Sequence, residues 1–128
     1  MTDDLRSLVE QLKAVSHPLR LRVLGLLKSG ELCVCQLAEA LSVPASSVSE
    51  ALRELRRAGF VSERKEGRWV FMSIRESPSP LLETLLLETD ALPETCQDRA
   101  RIAIVKGLTV QAVFQRHIEE SQEASNVR

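Results

Sequence analysis

The sequence contains no tyrosine, and its whole aromatic content is 3%. A tyrosine-based active site is thereby excluded, and a stacking platform for single-stranded nucleic acid, which needs several rings, is unsupported. No run of 18 apolar residues occurs, and the N-terminal Met1-Thr2-Asp3-Asp4 is acidic with no hydrophobic stretch behind it. The expectation is a cytoplasmic chain with no membrane span and no secretory signal. Cysteine is scarce and odd in number, three among 128 residues, so reduced thiols are expected rather than a disulfide framework. There is no glycine-rich phosphate loop and no paired-carboxylate motif, and His17 and His117 lie far along the chain from the cysteines. The sequence does not point to an enzyme.

What is present is a globular composition, 44% apolar and 27% charged, in a length that suits one compact domain. The net charge of −1 conceals an asymmetry: residues 1–52 carry −1, residues 53–75 carry +4 and residues 76–128 carry −4. A basic segment between acidic neighbours suggests a localised contact with a polyanion.

Leu5, Leu8, Leu12 and Val15 form an apolar stripe that predicts a helix over Asp3 to Val15, with Thr2 as its N-cap. Ser16-His17-Pro18 ends it and opens a second helix to about Lys28, with His17 as a local capping residue. Glu31 to Leu41 reads as a short third helix, and Ala45 to Ala58, with a single stripe of Val48, Leu52 and Leu55, as a fourth ending at Gly59. Two short helices joined by about four residues have the shape of a helix-turn-helix. Phe60 to Lys65 and Arg68 to Ile74 then alternate with a period near 2 around Glu66-Gly67, which predicts a hairpin. A basic hairpin after a helix-turn-helix is a wing. The fold expected is mainly α with a β-hairpin wing, a winged helix-turn-helix.

After Ser77-Pro78-Ser79-Pro80, a short leucine-rich helix spans Leu81 to Thr89, and one long helix is expected from Glu94 to about Glu120. Its stripe of Cys96, Ala100, Ala103, Gly107, Val110 and Phe114, widened by Ile104, Val105, Leu108, Ala112 and Val113, is more apolar surface than a small domain can cover. The first and last helices are therefore expected to pair across a twofold axis as a homodimer. Residues 1–120 form one DNA-binding and dimerisation domain on this reading, and residues 121–128 a flexible tail.

Residues 14–74 resemble the arsenic-repressor (ArsR/SmtB) family of bacterial metal-sensing transcription factors. Two pieces carry the resemblance: ELCVCQL at 31–37, similar to that family's ELCVCDL metal-binding box, and LRELRRAGFV followed by EGRWVFMSI, the recognition-helix exit and wing. The resemblance implies a homodimeric repressor on palindromic double-stranded operator DNA, released when a thiophilic ion binds. The chain departs from the pattern at Pro44-Ala45, where Ser-Gln is frequent, and at Glu50-Ala51, in place of a basic or histidine pair. Glu50 suits acceptance from a cytosine amino group in the major groove.

On a regular helix Cys33 and Cys35 would lie about 200° apart and could not grip one ion, whereas an extended or unwound turn brings them together. Ion binding should then reshape the start of the third helix, which braces the recognition helix, so that ion and DNA couple negatively. The helix N-terminus should also favour the thiolates. The resemblance implies further thiol ligands at position 38 or in the N-terminal arm, but Ala38 stands at the first and residues 1–32 hold no cysteine. Cys96 is the remaining candidate, within one chain or across the dimer. Three thiolates suit As(III) or Sb(III) as inducer, with no catalytic cofactor; Zn(II) and Cd(II) usually want a fourth ligand. His117 and Glu120 echo half of the zinc site of zinc-sensing relatives, but the other half would fall on Ile104 and Lys106, so His117 reads as a surface residue.

Ser46, Ser47, Ser49, Glu50 and Arg53 are the candidates for base contacts, and Arg56, Arg57, Arg64, Lys65 and Arg68 for phosphate contacts. Three alternatives remain open from sequence. They are a thiol redox or persulfide sensor pairing Cys96 with Cys33 or Cys35, a Cd/Pb sensor, and a dimeric interaction module without DNA binding.

Overall fold

The computed structural model describes residues 4–108 and 110–126, the side chains of 117 and 120–126 excepted. Helix α1 is Leu5–Val15, capped by Asp4, whose carboxylate accepts from the Ser7 amide at 2.7 Å. The expected cap, Thr2, lies outside the described residues. Only Ala14 and Val15 of α1 are buried, and Leu5, Leu8, Val9 and Leu12 face outward, Leu5 at 78% exposure. Helix α2, Pro18–Leu27, starts at His17, whose Nδ1 accepts from the Leu19 amide at 3.2 Å as the sequence suggests. Val23 to Leu27 are buried without a break, which puts α2 at the centre of the molecule.

The segment expected as a third helix from Glu31 is divided. Leu32–Cys33 forms a short strand β1, and helix α3 begins only at Val34 and ends at Leu41. The cause is tertiary: Leu32 pairs with Met72 and Cys33 with Phe71, partners some 40 residues away that no local periodicity reveals. After the left-handed Ser42 (φ 56°), helix α4 runs from Ala45 to Arg57 with Val48, Ala51, Leu52 and Leu55 buried. Strands β2, Val61–Glu66, and β3, Trp69–Ile74, follow, and the antiparallel sheet has the order β1-β3-β2. Glu66 pairs with Trp69, so the hairpin turn is Gly67-Arg68, one residue later than the alternation implied. The reason is local, since the turn needs a positive φ and Gly67 supplies it (φ 58°).

Helix α5 is Pro80–Asp90, capped by Ser79, and α6 is Pro93–Lys106. The long last helix expected over Glu94 to Glu120 is two helices, with α7 spanning Val110–Asn126. Gly107 caps α6 through its amide to the Ile104 carbonyl at 3.1 Å, and the Leu108 amide turns back to Val105 at 3.0 Å. Gly107, Val110 and Phe114 therefore do not continue the stripe of Cys96, Ala100 and Ala103. Residues 121–126, expected as part of a tail, continue α7.

A polar seam fastens the C-terminal helices to α2. Asp98, 1% exposed, accepts two bonds from the Arg22 guanidinium at 3.0 and 2.8 Å. Arg99 reaches the Gly25 carbonyl at 3.2 and 3.0 Å and Asp90 at 2.6 Å, and Lys28 also pairs with Asp90. At Gly25 a Cβ would meet the Thr95 methyl at 3.1 Å, so the bare backbone is what lets α6 approach α2. Among the described residues no helix is long and apolar enough to cross a membrane.

Candidate functional site

The sulfurs of Cys33 and Cys35 lie 2.9 Å apart. Cys33 is the N-cap of α3 and keeps an extended backbone (φ −91°, ψ 164°), while Cys35 is already in the first helical turn. The change from strand to helix between them overcomes the opposed directions that a continuous helix would impose. Gln36 secures the corner, its Oε1 accepting from the Cys33 amide at 2.9 Å and its own amide facing the Cys33 sulfur. Both cysteines are buried, at 2% and 7% exposure.

The two thiols are electrostatically unequal. A hydrogen bond from Cys35 lowers the Cys33 pKa to about 7 against the penalty of burial, and the amides at the start of α3 help. The same bond, with burial, raises the pKa of Cys35 and keeps its proton on. The corner thus behaves as one thiolate and one thiol sharing a proton.

Cys96 stands apart, exposed and free in the first turns of α6. Among the described residues no third His, Cys, Asp or Glu side chain joins the pair in a group able to hold an ion. The Cys35 sulfur lies 4.0 Å from the carbonyl oxygen of Val110, the first residue of α7. The side chains of His117 and Glu120 lie outside the described residues.

On α4, Ser46, Ser49, Glu50, Arg53, Arg56 and Arg57 are exposed and Ser47 is half-buried, opposite the buried stripe. A groove of about 550 Å³ separates this helix from the sheet, with Val34, Leu52, Val70 and Met72 on its floor and Arg53, Arg56 and Arg57 along its rim. Several of the basic residues already have partners. Arg56 pairs with Glu63 at 3.0 Å, Arg57 with Glu54 at 3.6 Å, and Arg64 with Glu31 at 2.6 Å and Glu66 at 3.1 Å. Arg68 donates to Gln111 and lies over the Trp69 ring. Among the described residues Arg53 and Lys65 have no ion-pair partner.

Residues 17–63 match the sequence model described as "Bacterial regulatory protein, arsR family". The arsenic resistance transcriptional regulator ArsR2 of Pseudomonas putida is 36% identical over 90 residues, covering 69% of this chain and 78% of that protein. This chain belongs to the arsR family. A transcriptional repressor SmtB homolog of Synechocystis is 40% identical over 75 residues, 59% of this chain; the match spans only 57% of that relative. Among solved structures, the homodimeric winged helix-turn-helix DNA-binding domain Mb0332 of Mycobacterium bovis superposes with a TM-score of 0.60 at 27% identity, covering 70% of this chain and 88% of that one.

Within this arsR-family frame, α3 and α4 are the helix-turn-helix and β2–β3 the wing. Sequence reasoning missed the residues that restrain the wing: Glu31, Glu63, Glu66 and Gln111. Glu66 sits two residues from Arg64 and was open to a local reading, but Glu31 and Gln111 are brought in only by β1 and α7. It also missed Val34, whose side chain lines the groove under α4 while the thiols on either side of it point inward.

Proposed function

We propose that this protein is a metalloid-responsive transcriptional repressor that binds operator DNA as a homodimer and is released when As(III) or Sb(III) engages its cysteine thiolates. The observation that carries this reading is the buried sulfur pair of Cys33 and Cys35, 2.9 Å apart, where a strand paired with the wing passes into α3. Two soft, converging sulfurs fit a thiophilic ion and suit hard cations poorly. Such an ion supplies strong bonds to sulfur; for arsenous acid each As–S bond formed replaces an As–O bond, and the thiol proton leaves with the hydroxyl as water.

The remaining steps belong to the chain. Cys33 is the readier thiolate and Cys35 must give up its proton. Cys33 is opposite Phe71 in β3, and Phe71 is opposite Arg64 in β2, with the Arg64 guanidinium 4.9 Å from the Phe71 ring centre. Any change in the extended backbone of Cys33 therefore reaches the wing through the sheet, and α4 through α3. Ligand and DNA favour different shapes of one element, which is negative coupling.

A third thiolate would come from Cys96 of a second copy; among the described residues of one chain no third His, Cys, Asp or Glu side chain joins the pair. Cys96 shares the exposed face of α6 with Ala100, Ala103 and Ile104, and α1 leaves Leu5, Leu8, Val9 and Leu12 uncovered. These surfaces support the dimer. Ser46, Ser47, Ser49, Glu50 and Arg53 read bases, and Arg56, Arg57, Arg64, Lys65 and Arg68 hold phosphates, on exchanging their internal partners for DNA.

The test is fluorescence anisotropy of reduced protein on its own upstream DNA, with arsenite, Cd(II) and Zn(II) added separately and Cys96→Ser in parallel. Release by arsenite, weakened in the variant, is the expected result. Release by Cd(II) alone would replace the metalloid with a divalent ion. Release only on oxidation would replace it with thiol redox sensing, and no binding to any duplex at low salt would leave an interaction module.

A further inference from the structure

Helix α7 touches both the thiol pair and the wing. Its first residue, Val110, places a carbonyl oxygen 4.0 Å from the Cys35 sulfur. The next residue, Gln111, accepts through Oε1 from Arg68 in the hairpin turn. One turn on, Phe114 meets Trp69 edge to face with ring centres 5.4 Å apart. Val113, fully buried, seats the helix, and Arg116 anchors it to Glu39 of α3 at 3.1 Å.

We propose that α7 is a strap carrying the state of the thiol pair to the wing, with Gln111 and Phe114 as positioning residues that hold Arg68 and Trp69. The inference rests on the thiol-sensing reading and adds a second route to the one through the sheet. The physical argument has two parts. A neutral amide holds an exposed guanidinium only weakly, while a phosphate binds it by a charge-assisted bond, so Gln111 competes with DNA for Arg68 and loses reversibly. A Cys35 thiol is compatible with the Val110 carbonyl as a weak donor, but a ligated Cys35 offers that oxygen no hydrogen and repels it. Occupation of the pair therefore pushes on the first turn of α7 and, one residue later, on the partner of Arg68.

Trp69 is the only tryptophan in the chain, so its emission reports the strap directly. The probe is phenylarsine oxide, which bonds two neighbouring thiols whatever the natural inducer is, with occupancy followed by counting free thiols in the reduced full-length protein. The expected result is an emission shift in step with occupancy, absent in Cys35→Ser and absent in Phe114→Leu, whose emission starts out displaced. In parallel, duplex affinity is measured without arsenical. Gln111→Ala should raise it about fivefold by freeing Arg68, and Gln111→Glu should lower it about fivefold by holding Arg68 more tightly.

Gln115→Glu adds the same charge one turn away, at a residue bonded to Glu119, and should change affinity less than about twofold. Full thiol occupancy with unchanged Trp69 emission overturns the proposal, as do Gln111→Ala and Gln111→Glu moving affinity in the same direction. An emission shift with phenylarsine oxide in a protein that ignores arsenite would remove the metalloid reading and leave the strap standing.

Discussion

The start of α3 and the outer face of α4 with its wing solve opposite problems in one small molecule. At α3 two sulfurs are withdrawn from solvent, at 2% and 7% exposure, and each sets the protonation of the other. On α4 and the wing most of the charged side chains lie in water, and the arginines are spread over partners such as Glu31, Glu54, Glu63 and Glu66. Where water is excluded, a single atom decides the chemistry; where water screens every pair, the effect is divided among many residues and each is small. The roles proposed for them, a sensing corner and a polyanion-binding face, would call for these two regimes.

The contrast is broken most severely at the thiols. Cys33→Ser or Cys35→Ser should weaken arsenite binding by about a hundredfold or more, because the converging sulfur pair is lost and one soft donor is gone from the site, while operator affinity changes less than about twofold. Competition with a chromogenic dithiol measures the first and anisotropy the second. A collapse of DNA binding in the ligand-free variants would make the pair a packing element instead.

A third region tests whether burial alone raises the stakes. Asp98→Ala leaves Arg22 without its bidentate partner and should cost about 2–3 kcal/mol in urea unfolding, below the range for fully buried pairs because Arg22 keeps 30% of its side-chain exposure. Arsenite stoichiometry should not change. On the exposed face, Arg53→Ala should lower operator affinity about tenfold and leave arsenite affinity unaltered, as read by anisotropy at two salt concentrations.

The electrostatics of the corner give a sharper measure. Ultraviolet titration should show one thiolate appearing as pH rises through about 7, the value to which Cys33 is lowered. Below that pH Cys33 is protonated and its proton leaves with the arsenic hydroxyl as water; above it the thiolate is already formed, and displacing the hydroxyl takes one proton up from solution. Cys35→Ala removes the hydrogen-bond donor and should return the midpoint toward the ordinary thiol value of about 8.5. The smallest effect belongs to Glu31→Gln, which takes from Arg64 one of its two carboxylate partners and should raise duplex affinity by no more than about twofold.

Local patterns made much of this legible. Single apolar stripes marked α1 and α4, and His17 with Pro18 marked the start of α2. The alternation around Gly67 marked the wing, and the cysteine pair stood out by its box. The misreadings have two physical causes. The strand character of Leu32 and Cys33 and the pairing of Arg64 with Glu31 depend on partners remote in sequence, where a long-range hydrogen bond outweighs a local preference of a fraction of a kcal/mol. The break at Gly107 and the place of the hairpin turn are local, set by the tight turn after α6 and by the positive φ of Gly67, which apolar periodicity does not register.

The sequence by itself determined the winged helix-turn-helix, its arsR-family membership and the pair of cysteines, because these follow from short-range periodicity and from residue identity. Tertiary structure alone decided that the two sulfurs meet, since β1 must pair with β3 before Cys33 can leave the helix that would turn it from Cys35. It also decided that one chain keeps Cys96 away from them and that α7 reaches the wing. Such outcomes depend on where separate elements come to rest against a shared core, and no window of neighbouring residues contains that information.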